Sequence, residues 1–226
     1  MRFSQVDSGR GCILACSACL DRVQSLPDHM PPIRASQASH HDVGDAVLRG
    51  EEMKWLSEDF KNLRAIYCHQ LRVMLSAEEL IVRALPNMVV RATDEQLRQA
   101  FQSHLQETEV HVQRLEQILG EHKRADHSVI STGPEKCKAM TALVAETDDL
   151  IIDARDAWVR DAGLIAAAQR VEHYEIASYG TMRQWARVLG ENTAAELLDK
   201  TLQEEGHADH LLSSIAERIN PYAKAA

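Results

Sequence analysis

The chain has 226 residues, 45% of them hydrophobic and 26% charged, enough for one or two domains with a substantial core. A formal net charge of −9 and a pI near 5.6 exclude nucleic acid as a main partner, because the scattered Lys and Arg form no basic face for phosphates. No apolar run is long enough to span a bilayer, and "CILACSACL" is too short and too interrupted by Ser for a secretory signal, so a cytoplasmic protein is expected.

Residues 1–52 hold Pro27, Pro31, Pro32 and the cluster "RASQASHHD" without sustained periodicity, which predicts a largely disordered extension with a short helix near 12–25. Cys12, Cys16 and Cys19 show a C-x3-C-x2-C spacing used by some iron–sulfur radical enzymes. Such enzymes need a large α/β barrel, and nothing downstream alternates strand and helix. Five cysteines, an odd count, fit a reducing compartment better than a disulfide framework. The codons for "GEE" ahead of Met53 must be purine-rich, as in a bacterial ribosome-binding sequence, so Met53 is expected to be the natural start. A helical bundle is then expected over 53–221, with a short tail at 222–226.

The first long helix is predicted from Trp55 to about Met88, with Tyr67, Leu71, Met74, Glu78, Ile81, Leu85 and Met88 on one stripe and Pro86 marking its last turn or a kink. The second follows a cap at Thr93, carries Leu97, Phe101, His104, Thr108, His111, Leu115 and Ile118, and ends near Gly120. After the polar stretch "HKRADHSVISTGPEK" comes a shorter amphipathic helix with Met140, Leu143, Thr147 and Leu150. A third long helix is predicted over 156–189, closed by Gly190. The fourth places Leu198, Leu202, Glu205, Asp209, Leu212, Ala216 and Ile219 in register and stops before Pro221. Tight links join the first pair and the last pair, while the long middle link can cross the bundle, as in ferritin-like four-helix bundles.

Each long helix interrupts its apolar stripe at mid-length with polar groups. These are Glu78 on the first, His104 and His111 with Glu107 beside them on the second, Glu172 and Glu175 on the third, and Glu205 and Asp209 on the fourth. On the fourth helix a rival register would instead turn inward the E-x-x-H pair Glu204 and His207, flanked by Leu197 and Leu211. Taking an ionised carboxylate out of water costs several kcal/mol, against a total domain stability of about 5–15 kcal/mol. Five such groups must therefore share protons, meet basic side chains, or bind cations. No Arg or Lys occupies the stripes at those levels, so a ligand set for a di-iron or di-manganese centre is the economical reading.

The stretch "RDAGLIAAAQRVEHYEIASYGT" resembles the YciF-like family, stress-associated bacterial members of the ferritin-like superfamily. The blocks "LSAEELIVRALPNM", "HLQETEVHVQRLEQ", "KCKAM" and "LLDKTLQEEGHADHLL" extend the resemblance over about 62–216 in the family's order. It implies an all-α, antiparallel ferritin-like bundle with an extra short helix in the crossover, two bound divalent metal ions and homodimer formation. By position, it implies Glu78, Glu107, Glu172, Glu175, Glu205 and Asp209 as ligands. Gln106 stands where relatives often have Glu, so the second-helix ligand remains open among His104, Glu107, Glu109 and His111.

The function expected from these features is a stress-response protein whose two metals, iron first and manganese or zinc otherwise, meet peroxide or oxygen. A peroxidase or oxidase of the rubrerythrin kind is the matching activity. A metal-free helical stress protein, whose buried polar layer sets bundle or dimer register, is the competing expectation. An iron-storage cage comes third, since nothing marks a 24-subunit interface or a mineral channel.

Overall fold

The structure is a computed structural model, of which residues 60–125 and 135–224 are described. The expectations for residues 1–52, for a start at Met53 and for the first turns from Trp55 fall outside these residues. Among the described residues there are five helices and no strand: α1 Leu63–Arg91, α2 Glu95–Ala125, α3 Lys138–Asp153, α4 Ala157–Val188 and α5 Asn192–Ala223. None is long and apolar enough to cross a membrane.

Helix α1 pairs with α2 across a tight turn and α4 with α5 across another, while α2–α5 and α1–α4 contacts close the ring. Cross-helix bonds fix the directions. Arg218 near the end of α5 holds Asp94 at the start of α2, and Asp161 near the start of α4 holds Thr93 after the end of α1. Each long helix is thus antiparallel to its neighbours, and α2 and α4 run the same way. The α2–α4 link must therefore travel back along the bundle, which is the crossover that the link lengths predict. Helix α3 forms part of this return and packs on α1 and α4.

Local chemistry places the ends. Asn62 caps α1 by accepting from the Ala65 N–H, and Asp156 caps α4 by accepting from Trp158 and Val159. Gly190 has φ 77°, and the bonds Glu191 N–H to Ala186 carbonyl and Gly190 N–H to Arg187 carbonyl complete a Schellman stop, as the sequence predicts for that glycine.

Four expected boundaries shift. Helix α2 is capped by Asp94, whose carboxylate accepts from the Leu97 N–H, and not by Thr93. It also runs past Gly120 to Ala125, because one glycine costs a helix only about 1 kcal/mol. Helix α1 continues through Pro86 to Arg91, with Pro86 on its exposed face. Helix α5 continues through Pro221 to Ala223, and the Tyr222 ring stacks on Trp158 of α4 with centroids 4.8 Å apart, holding that last turn in place.

The α1–α2 turn is latched by a residue that the helical pattern does not single out. Asp161, fully buried, accepts from the backbone N–H groups of Thr93 (2.9 Å) and Asp94 (2.7 Å). Asp161→Ala leaves these donors unsatisfied and is expected to cost about 3 kcal/mol. Calorimetry should show this as a melting temperature lower by about 6–12 °C.

Candidate metal centre

The stripes of α1, α2 and α4 face the core as their spacing predicts, and the polar groups at mid-length go inside with them. Glu78, His111, Glu175 and Glu205 are fully buried, Glu172 is 2% exposed and His104 is 7% exposed. They share the inner faces of their helices because His104 and His111 lie about two turns apart on one face of α2, while Glu172 and Glu175 lie one turn apart on α4. Thr108, between the histidines, turns its hydroxyl back to the His104 carbonyl and so leaves the ring to them.

Two overlapping ligand sets result. His104, Glu172, Glu175 and Glu205 bring one donor atom each to within 4.8 Å of one another, and so do Glu78, His111 and Glu205. Glu205 belongs to both. His104 Nε2 is 3.4 Å from Glu172, and His111 Nδ1 is 2.9 Å from Glu205 and 3.7 Å from Glu78. Around these stands a supporting layer. The Tyr179 hydroxyl donates to Glu78 Oε1, and His111 Nε2 lies 2.9 Å from Glu204, which the Arg114 guanidinium grips through both carboxylate oxygens.

Of the eight residues expected as ligands, six converge. Glu107 is 39% exposed, with its carboxylate 3.9 Å from His104 Nδ1, and stands outside both sets. Asp209 also lies outside them and accepts from Gln169 at 3.1 Å. The cause is the order of spacings on α5, where the buried residues from Leu198 onward are Leu198, Thr201, Glu205, Leu212, Ile215 and Ile219. Steps of three then four from Leu198 keep Glu205 inward but place Ala208 rather than Asp209 on the inner face. The rival register is not adopted either: His207 is exposed and Glu204 serves the outer layer. Glu109 is exposed, so on α2 the inward groups are the two histidines.

Burial and mutual repulsion shift the ring carboxylates Glu172 and Glu175, and the two imidazoles oppose that shift. Burial raises Glu172 to about 8 despite the opposing pull of His104, and burial together with Glu78, Glu205 and Glu172 raises Glu175 well above the carboxylate range. Burial alone would lower both imidazoles. Glu172, Glu107 and Glu205 outweigh it and hold His104 at about 9, while Glu205 and Glu78 hold His111 at about 10. One basic side chain does approach this level, but Arg114 is committed to Glu204 and reaches no ring carboxylate by hydrogen bond.

Tyr179 and Arg114 are residues that the stripe pattern does not assign to the site, and Glu204, which the rival register would have turned inward, joins it from the outer side. The available signal was the phenol of Tyr179 four residues after Glu175 on a buried stripe, since a buried tyrosine hydroxyl needs a partner.

Comparison with known proteins places this geometry in context. A family model described as a domain of unknown function (DUF892) matches residues 62–224. Protein YciF of Escherichia coli (strain K12) is 40% identical over 158 residues, which cover 70% of this chain and 92% of that protein. The crystal structure of the E. coli stress protein YciF aligns with a TM-score of 0.64 at 38% identity, covering 71% of this chain and 98% of that one. YcfI from Rhodopseudomonas palustris aligns with a TM-score of 0.63 at 36% identity, covering 70% and 96%.

Proposed function

We propose, from the premise that the chain belongs to the YciF-like family described as DUF892, that it is a stress-response protein built around a centre for two divalent cations. The observation that carries this reading is the set of unpartnered donors. Both oxygens of Glu175, one oxygen each of Glu78, Glu172 and Glu205, and both nitrogens of His104 lack a hydrogen-bond partner among the described residues, while Glu205 Oε1 lies 2.9 Å from His111 Nδ1. Buried polar atoms are almost always paired, so this many at one level fit bound cations. Carboxylates and imidazoles suit iron, manganese and zinc, with iron first for a protein of this bundle type.

A pair of such ions would supply redox or Lewis-acid chemistry toward peroxide or oxygen. The chain's own residues prepare the place. His104, Glu172 and Glu175 would hold one cation, Glu78 and His111 would hold the other, and Glu205 belongs to both sets. Tyr179 orients the Glu78 carboxylate, and Glu204, fixed by Arg114, orients the His111 ring through its outer nitrogen. Anaerobic titration of the purified chain with ferrous iron is expected to saturate near two ions per chain. Tyr179→Phe, which removes only the orienting hydroxyl, should weaken uptake roughly 10-fold. No uptake, with Glu172→Ala changing nothing, would overturn the reading.

One observation favours a metal-free polar layer instead. Protons held on both imidazoles and on Glu172 and Glu175 offset part of the buried negative charge without any cation. That layer would set the register of the bundle, and its stability would be indifferent to chelators.

A further inference from the structure

A cavity of about 110 Å3, open to solvent at one rim, lies between the ring and the α1–α2 turn, with walls from all five helices. Its apolar surface comes from Leu85, Met88, Phe101, Val171 and Leu212. Its room comes from alanines at Ala84, Ala100, Ala167, Ala168 and Ala208, on four separate helices. Protein interiors seldom keep voids much larger than a water molecule, and a dry cavity of about 150 Å3 takes up benzene.

Two walls are not apolar. His104 and Glu172 line the end nearest the ring, and both imidazole nitrogens and one Glu172 oxygen have no hydrogen-bond partner among the described residues. At the rim stand the half-exposed Glu107 and the exposed Asp148 and His207. The acids Glu107 and Asp148 at the rim oppose an anion, and the apolar walls penalise any ion.

We propose that this cavity binds a small uncharged organic molecule about the size of phenol, with an apolar body among the alanines and one hydrogen-bonding group facing His104 and Glu172. Presentation of that molecule to the cation centre rests on the function proposed above; its binding does not. A molecule of about seven non-hydrogen atoms in such a site gives a dissociation constant on the order of 1 mM.

The test is a phenol titration of the full chain, with and without chelator, followed by amide NMR shifts at Ala167, Ala168 and the neighbouring turn. Saturable shifts confined to these residues are expected in both conditions. Ala168→Met, which fills the void, should weaken binding by at least about tenfold while leaving cation uptake unchanged. Ala84→Met, at the half-buried edge, makes the same test should Ala168→Met fail to fold. No saturable shift at these amides, or equal binding by a folded cavity-filling variant, overturns the proposal. Phenol binding without cation uptake would leave the cavity standing and remove the cation centre, and the converse result would do the opposite.

Discussion

Glu205→Gln is expected to abolish cation uptake at both positions at once, weakening binding by at least about 100-fold. Glu205 is the residue common to the two ligand sets, it is fully buried, and beside the 2.9 Å contact of its Oε1 with His111 Nδ1 its other oxygen has no hydrogen-bonding partner among the described residues. The amide has nearly the volume of the carboxylate, so the bundle should keep its packing while losing the bridging charge. The controls are Glu107→Gln and Asp209→Asn, at residues that the stripe pattern points to but that stand outside both sets. Calorimetric titration should show Asp209→Asn at the parent level and Glu107→Gln, whose carboxylate lies 3.9 Å from His104 Nδ1, far closer to it than Glu205→Gln. Equal losses in all three variants would mean that uptake follows overall acidity rather than the ring.

Removing bound cations is expected to lower the melting temperature by about 10–20 °C. Two sites, each with free ion at about 100 times its dissociation constant, contribute roughly 5 kcal/mol, and a chain of this length shifts by about 2–4 °C per kcal/mol. The pH dependence gives the effect a sign. In the metal-free fold Glu172 titrates near 8 against 4.5 ordinarily, and His104 and His111 near 9 and 10 against 6.5. All three are raised, so the folded state binds more protons than the unfolded chain. Their contribution is complete at low pH and is lost as pH climbs, for Glu172 between 4.5 and about 8 and for the histidines from 6.5 up to about 9 and 10.

Cations displace those same protons, about four when Glu175 is included, so their affinity rises with pH. The gap between loaded and chelated melting curves should therefore widen from about pH 6 to about pH 9. Coincident curves across that range would favour the metal-free polar layer.

The parts of this arrangement that rest on helical periodicity are legible in the amino-acid order. Tyr67 through Met88 on α1 and Leu97 through Ile118 on α2 are buried at the expected spacing, and with them come Glu78, His104 and His111. Glu172 and Glu175 follow from the same logic on α4. Asp209 shows where it runs out. A repeat of seven is filled equally well by steps of four then three or three then four, and both choices place Leu198, Glu205, Leu212 and Ile219 inward. Only packing against α2 and α4 decides between Ala208 and Asp209.

Contacts without a fixed spacing leave no such trace. Asp161 reaches backbone N–H groups 67 and 68 residues away, and Arg114 meets Glu204 at a separation of 90. The void beside the ring is equally silent in one dimension, since five alanines spread over four helices become a cavity only when the helices are assembled.

Anomalous diffraction from crystals grown with ferrous iron under anaerobic conditions, recorded on both sides of the iron edge, addresses the bridging of two cations by Glu205 most directly. The account predicts two peaks per chain, one against His104, Glu172 and Glu175 and one against Glu78 and His111, with the Glu205 carboxylate between them. A ring without anomalous density, its carboxylates bonded instead to protonated partners or water, would contradict it.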